Sequence, residues 1–106
     1  MLVMFDNSQK RYVTRGVNTQ ISHQIQLACW RLIDRENQLD NELDYLQIFE
    51  FEVLTPRHLA IIHRQEEPER INRIIIELIE CTILDTEKLW VIDDGSTQTM
   101  LLPEEY

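Results

Sequence analysis

The sequence predicts an α+β domain: one amphipathic helix packed on a mostly antiparallel sheet of about five strands, in the order β-α-β-β-β-β. Three observations carry that prediction. Apolar residues recur at helical spacing between Ile21 and Asn37. Apolar and acidic residues alternate between Tyr45 and Leu54, as in a half-buried strand. Asp94-Gly95 lies between two apolar runs, where a hairpin turn belongs.

"RYVTRGV" (Arg11 to Val17) is β-branched and aromatic, and reads as the first strand. "ISHQIQLACWRLIDREN" follows, with Ser22 as its N-cap. At about 100° per residue, Ile21, Ile25, Ala28, Cys29 and Leu32 share one face, with Ile33 at its edge. Asp40 to Asp44 form the loop. In "YLQIFEFEVL", Tyr45, Phe49, Phe51 and Val53 point one way, and Glu50 and Glu52 the other. "TPR" turns the chain into "HLAIIHRQ" (His58 to Gln65), and Pro68 breaks that strand. "INRIIIELIECTIL" admits a helix, with Pro68 near its first turn. The triple Ile74-Ile75-Ile76 and Cys81-Thr82-Ile83 favour a strand instead. "KLWVID" and "TQTMLL" close the chain. A turn centred on Asp94-Gly95 puts Leu89, Val91, Met100 and Leu102 on one face.

Length and composition set the limits. Residues 1–106 make a single domain, able to bury one core without staples. Nineteen acids against ten bases give a net charge of −9, which argues against direct nucleic-acid binding. Two cysteines are too few for a disulfide framework, so Cys29 and Cys81 read as buried thiols. "MLVMF" is too short for a signal sequence, and no apolar run reaches the ~20 residues of a membrane span. A cytoplasmic protein is expected, with no membrane association.

The motifs add chemistry only weakly. "DDGST" looks like the phosphate hairpin of actin-like ATPases, but lies twelve residues from the last one, in a chain far too short for that fold. As a calcium loop its ligand spacing fails. His58 and His63, five apart on a strand, face opposite sides and cannot share a metal. No phosphate loop, nucleophile elbow or Cys–His dyad is present, so no catalytic residue, metal ligand or cofactor is assigned.

Two stretches suggest partner contacts. "HRQEEPER" crowds charge at a strand end, and Arg64, Glu66 and Glu69 there suit charge-assisted recognition. Leu27 and Trp30 sit three apart on the outer flank of the helix, where an apolar patch suits a partner or a homodimer. A competing reading is a small-ligand or enzymatic pocket between sheet and helix, built from Tyr12, Arg15, His63 and Glu66. It requires those groups to converge.

Taken as a set, "RYVTRGV", "ELDYLQIFE", "IIHRQEEPE", "VIDDG" and "TMLLPEEY" resemble a small uncharacterised family from Firmicutes, catalogued as domain of unknown function 960. The resemblance runs from about Met4 to Tyr106. It implies a bacterial protein of a kind often carried on plasmids and other mobile elements, and it brings no catalytic residues. The function expected is a non-enzymatic, acidic interaction or regulatory protein with a protein partner. In one version its acids align on one face and mimic the charge of DNA.

Overall fold

The computed structural model describes residues 4–80, 84 and 86–106. Its elements are β1 (Lys10–Val13), α1 (Arg15–Gln20), α2 (His23–Gln38), β2 (Leu46–Thr55), β3 (His58–Glu66), β4 (Glu69–Glu77), β5 (Lys88–Asp93) and β6 (Thr97–Leu101), with a 3-10 turn over Pro103–Glu105. The α+β class is as expected. The sheet has six strands rather than about five, in the order β1-β6-β5-β2-β3-β4. It is mixed: β1 runs parallel to β6, and the other neighbours are antiparallel.

The first strand is shorter than the sequence predicts. It stops at Val13, and Thr14 caps a second helix, accepting the Val17 N–H at 3.3 Å. The β-branched residues of "RYVTRGV" disguise this switch. Thr14 and Val17 read as strand formers, yet one serves as a cap and the other buries its side chain under α1. The Thr14 hydroxyl also donates to Glu105 at 2.6 Å, tying the chain's end to this cap.

The main helix forms as expected. Ser22 accepts the Ile25 N–H at 3.4 Å, and Ile21, Ile25, Cys29, Leu32 and Ile33 are buried. They meet Phe49, Leu59, Ile61, Leu89, Val91 and Met100 from one face of the sheet. Phe5 completes this core, fully buried, with its N–H donating to Asp93 Oδ2 at 2.6 Å. The Cys29 thiol is buried too, which holds it protonated. Cys81 to Ile83 lie outside the described residues.

The open segment after Pro68 is a strand over Glu69–Glu77. It pairs with β3 without a register shift, from Glu66↔Glu69 to His58↔Glu77. β2 also alternates, but both ends of the predicted run leave the core: Tyr45, just before the strand, and Val53, near its end, are about half exposed (51% and 50%). Gln47 takes the place between them that an apolar residue would normally fill, and is fully buried.

The β5–β6 hairpin has the predicted faces but not the predicted turn centre. Leu89, Val91, Met100 and Leu102 are all buried. The register pairs Val91 with Met100 and Asp93 with Gln98, which moves the turn one residue on, to Gly95-Ser96. Gly95 alone takes positive φ (96°), which suits a turn with glycine at its first central position. Asp94 flanks it, accepting the N–H groups of Ser96 and Thr97 at 2.9 and 2.8 Å.

Candidate functional site

Three regions gather polar or exposed groups. The first is buried. His63 lies on the helix-side face of β3, 4% exposed, with its ring stacked on Phe49 at 4.4 Å between centroids. Its Nε2 lies 2.6 Å from Gln47 Oε1. An amide oxygen only accepts, so Nε2 carries the proton and Nδ1 is left as a buried acceptor without a partner among the described residues. Gln47 Nε2 donates in turn to Gln65 Oε1 at 2.9 Å and to the Asp44 carbonyl at 2.8 Å. Gln65 Nε2 donates to the carbonyls of Glu42 and Pro68, at 3.0 and 2.8 Å. Burial lowers the His63 pKa to about 4, Glu36 raises it and Arg70 lowers it. The imidazole is therefore a neutral strut between β2, β3 and the β3–β4 turn.

The second region is a cleft of about 310 Å³ between the end of α2 and β4. Glu36 lies at its base, only 6% exposed. Its carboxylate accepts Asn72 Nδ2 at 2.9 Å and Asn41 Nδ2 at 2.6 Å, with Arg70 Nη1 at 3.6 Å. Both carboxylate oxygens are thus engaged by neighbouring side chains. The cleft has a charged floor whose acid is already partnered.

The third region is the outer face of the sheet, which neither α1 nor α2 covers. Ile48 and Leu101 are buried on it by their neighbours, and Trp90 packs edge-on against Tyr106 at 5.8 Å. Toward β4 the face opens. Arg64, Glu66, Glu69 and Ile71 line one shallow depression of about 410 Å³ at the β3–β4 hairpin. Arg64 Nε donates to Glu50 Oε1 at 2.7 Å, so its head is oriented but still about one-third exposed. Ile71 and Ile75 are more than half exposed (59% and 54%).

The residues singled out from the sequence separate as follows. The structure brings Arg64, Glu66 and Glu69 together, and adds Ile71 to them. It does not bring Tyr12, Arg15, His63 and Glu66 together. Tyr12 and Arg15 lie at the β1 end of the sheet, and His63 and Glu66 on β3, four strands away. His63 also faces the helices, whereas Tyr12 is half exposed on the opposite face. Leu27 is exposed (52%), but Trp30 is engaged: the Arg11 guanidinium stacks 4.5 Å from its ring centroid. Arg11 is held there by a two-point ion pair with Asp34 and by Gln98 Oε1 at 2.9 Å. The acids of the outer face alternate with arginines: Glu50 with Arg64, and Glu52 with Arg73 at 3.9 Å. That interleaving does not make the continuous negative face a mimic of DNA needs. Among the described residues no group of three or more His, Cys, Asp or Glu could hold a metal ion. None of their helices is long and apolar enough to cross a membrane.

The buried network was missed by motif reading, yet it left a signal. Gln47, His63, Gln65 and Gln98 all occupy inward positions of their strands, where alternation calls for apolar residues. Glu36 left one as well: it follows Leu32 by four residues and Ile33 by three, on the apolar face of α2, although its partners on β4 depend on the tertiary fold.

A sheet closed by helices on one side and open on the other, with its exposed apolar and charged groups gathered at one hairpin, defines a small open-faced α+β domain. The chain belongs to the family described as staphylococcal protein of unknown function (DUF960), whose family model matches residues 10–105. A solved structure with a similar fold is that of a protein of unknown function from Enterococcus faecalis. It is 23% identical, has a TM-score of 0.81, and the match covers 100% of this chain and 98% of that one. At this identity the likeness concerns the fold alone. No curated protein matches the chain.

Proposed function

We propose that this protein acts by binding another protein, without catalysis, and that the contact surface is the outer side of the β3–β4 hairpin. The observation that carries the reading is the clustering of Arg64, Glu66 and Glu69 around Ile71 on an uncovered sheet face. An apolar centre with a charged rim is the usual anatomy of a specific protein contact. The polar interior supports the same reading. Glu36, His63 and Asp93, buried ionisable groups among the described residues, use their hydrogen bonds to hold elements together. With its −9 charge, the surface favours a partner segment that carries cations. A cytoplasmic site of action is part of this proposal.

The test uses a partner captured from the host by tagged protein and then purified. Ile71→Lys and Arg64→Glu are each expected to weaken that pair at least about tenfold, as a buried anchor and an oriented charge would. Leu27→Lys is expected to leave it unchanged. A partner whose affinity ignores both hairpin variants would remove the surface from this role.

A further inference from the structure

β4 is one of the sheet's two edge strands, and its backbone faces outward in a regular way. Leu78 N–H donates to Arg57 O, one step beyond the Glu77↔His58 pair. In an antiparallel ladder bonded pairs alternate, so the even residues of β4 face β3. The N–H and C=O groups of Glu69, Ile71, Arg73, Ile75 and Glu77 therefore point away from the sheet. The far end shows this directly. Gln24 Nε2 donates to the Glu77 carbonyl at 2.8 Å, and Gln24 Oε1 accepts the Ile79 N–H at 2.9 Å. These are the two bonds that an added strand would make there. Among the described residues, nothing does the same for Ile71, Arg73 or Ile75.

Natural edges are protected by shortness, bulges, proline or charged side chains, and β4 uses only the last of these, spaced between isoleucines. β4 has nine residues, a continuous register and no internal proline or glycine. Its outer-face side chains read Glu69, Ile71, Arg73, Ile75, Glu77, which is acid, apolar, cation, apolar, acid. The pattern is the same in both directions. A second copy pairing antiparallel over the whole strand would set Arg73 on Arg73 and Glu69 on Glu77, so like charges oppose like at each charged position. Sliding the copy to relieve this leaves only part of the strand paired. Sliding it toward Glu77 also brings it against the Gln24 side chain.

We propose that the β4 edge receives an extended segment of a different protein, added as a seventh strand. The segment carries the inverse pattern: cation, apolar, acid, apolar, cation, at alternate positions. The proposal rests on the reading of this hairpin as a binding surface and names its mode and ligand chemistry. Main-chain bonds to Ile71, Arg73 and Ile75 supply the affinity common to any strand, and the alternate side chains supply the selection.

The chain itself provides a probe. Glu69→Lys, Arg73→Glu and Glu77→Lys together display the inverse pattern on the same rigid edge. All three positions are exposed, and circular dichroism checks that the variant folds. By sedimentation up to about 1 mM, where weak pairs are populated, wild type and the triple variant are each expected to be monomeric alone. Mixed, they are expected to form a heterodimer, lost when wild type carries Ile75→Lys. A second measurement is independent of the variant's folding. A nine-residue peptide, Lys-Thr-Ile-Thr-Glu-Thr-Ile-Thr-Lys, is expected to shift the amide resonances of Ile71, Arg73 and Ile75. Its charge-reversed counterpart is expected to bind about tenfold more weakly or less.

A mixture that stays monomeric, together with a peptide that moves no β4 amide, overturns strand addition. If Ile71→Lys still releases the native partner, the hairpin surface stands without it. Equal binding of both peptides overturns the charge selection. Wild type that dimerises alone through Ile75 makes the occupant a second copy and overturns the assignment to a different protein.

Discussion

At the scale of single residues, Asp93 and His63 show how a polar group earns a place in the core. Asp93 is 2% exposed and collects three donors: the Phe5 N–H, Gln9 Nε2 and the Gly95 N–H. It joins the start of the chain to the last hairpin, whereas the neighbouring Asp94 shapes only the turn. His63 makes a prediction about pH. The folded protein holds it neutral, with a pKa near 4, whereas the unfolded chain protonates it near 6.5. Between those values the unfolded state binds the extra proton. Stability therefore falls as pH drops from 6.5 to 4, levels off below, and is full above 6.5. The loss from this one group is on the order of 3 kcal/mol. His63→Gln is expected to be less stable at pH 7, because the stack on Phe49 goes, but to flatten that slope. Urea unfolding of both proteins at several pH values measures it; an unchanged slope would assign the pH dependence elsewhere.

At the scale of elements, the ends matter more than the middles. α2 stops where Asp40 takes a left-handed conformation (φ 56°), donating its N–H to Asn37 O at 3.1 Å while Asn41 N–H reaches Glu36 O at 3.0 Å. Glycine fits that position without the Cβ clash. Asp40→Gly is expected to stabilise the protein by about 0.5–1 kcal/mol, raising Tm by roughly 2–6 °C in a thermal melt. A lower Tm would mean that the Asp40 side chain makes a stabilising contact of its own. The stop also fixes Glu36 beside Asn41, and from there Asn72 and Arg70 of β4 are within reach. Main-helix periodicity and the Ser22 cap were legible because both are local. The length of β1 was not, because Val13, Thr14 and Val17 suit a strand in isolation. Only the tie from Thr14 to Glu105, 91 residues away, shows why the chain turns into α1 there.

At the scale of the whole molecule, charge and layering act together. A two-layer fold covers one side of its sheet and leaves the other to water or to a partner. A net charge of −9 opposes close approach of two copies and favours encounter with cationic segments. Raising salt from about 0.05 to 0.5 M is expected to slow association with the proposed partner markedly while changing its dissociation far less. Stopped-flow mixing measures both rates; a salt-independent association rate would mean that net charge plays no part in the encounter. By itself the sequence determined what depends on neighbours along the chain: the class of fold, the helix and its buried face, the alternation of β2, the inward faces of the last hairpin, and the grouping of Arg64, Glu66 and Glu69. Only the tertiary structure decided the parallel β1, the partners of Glu36 on β4, and the separation of Tyr12 from His63. The reason is the same in each case. These features depend on which distant strands lie side by side, and strand order is not written in any local period. The open edge of β4 belongs with them, since a strand becomes an edge only when the rest of the sheet is in place.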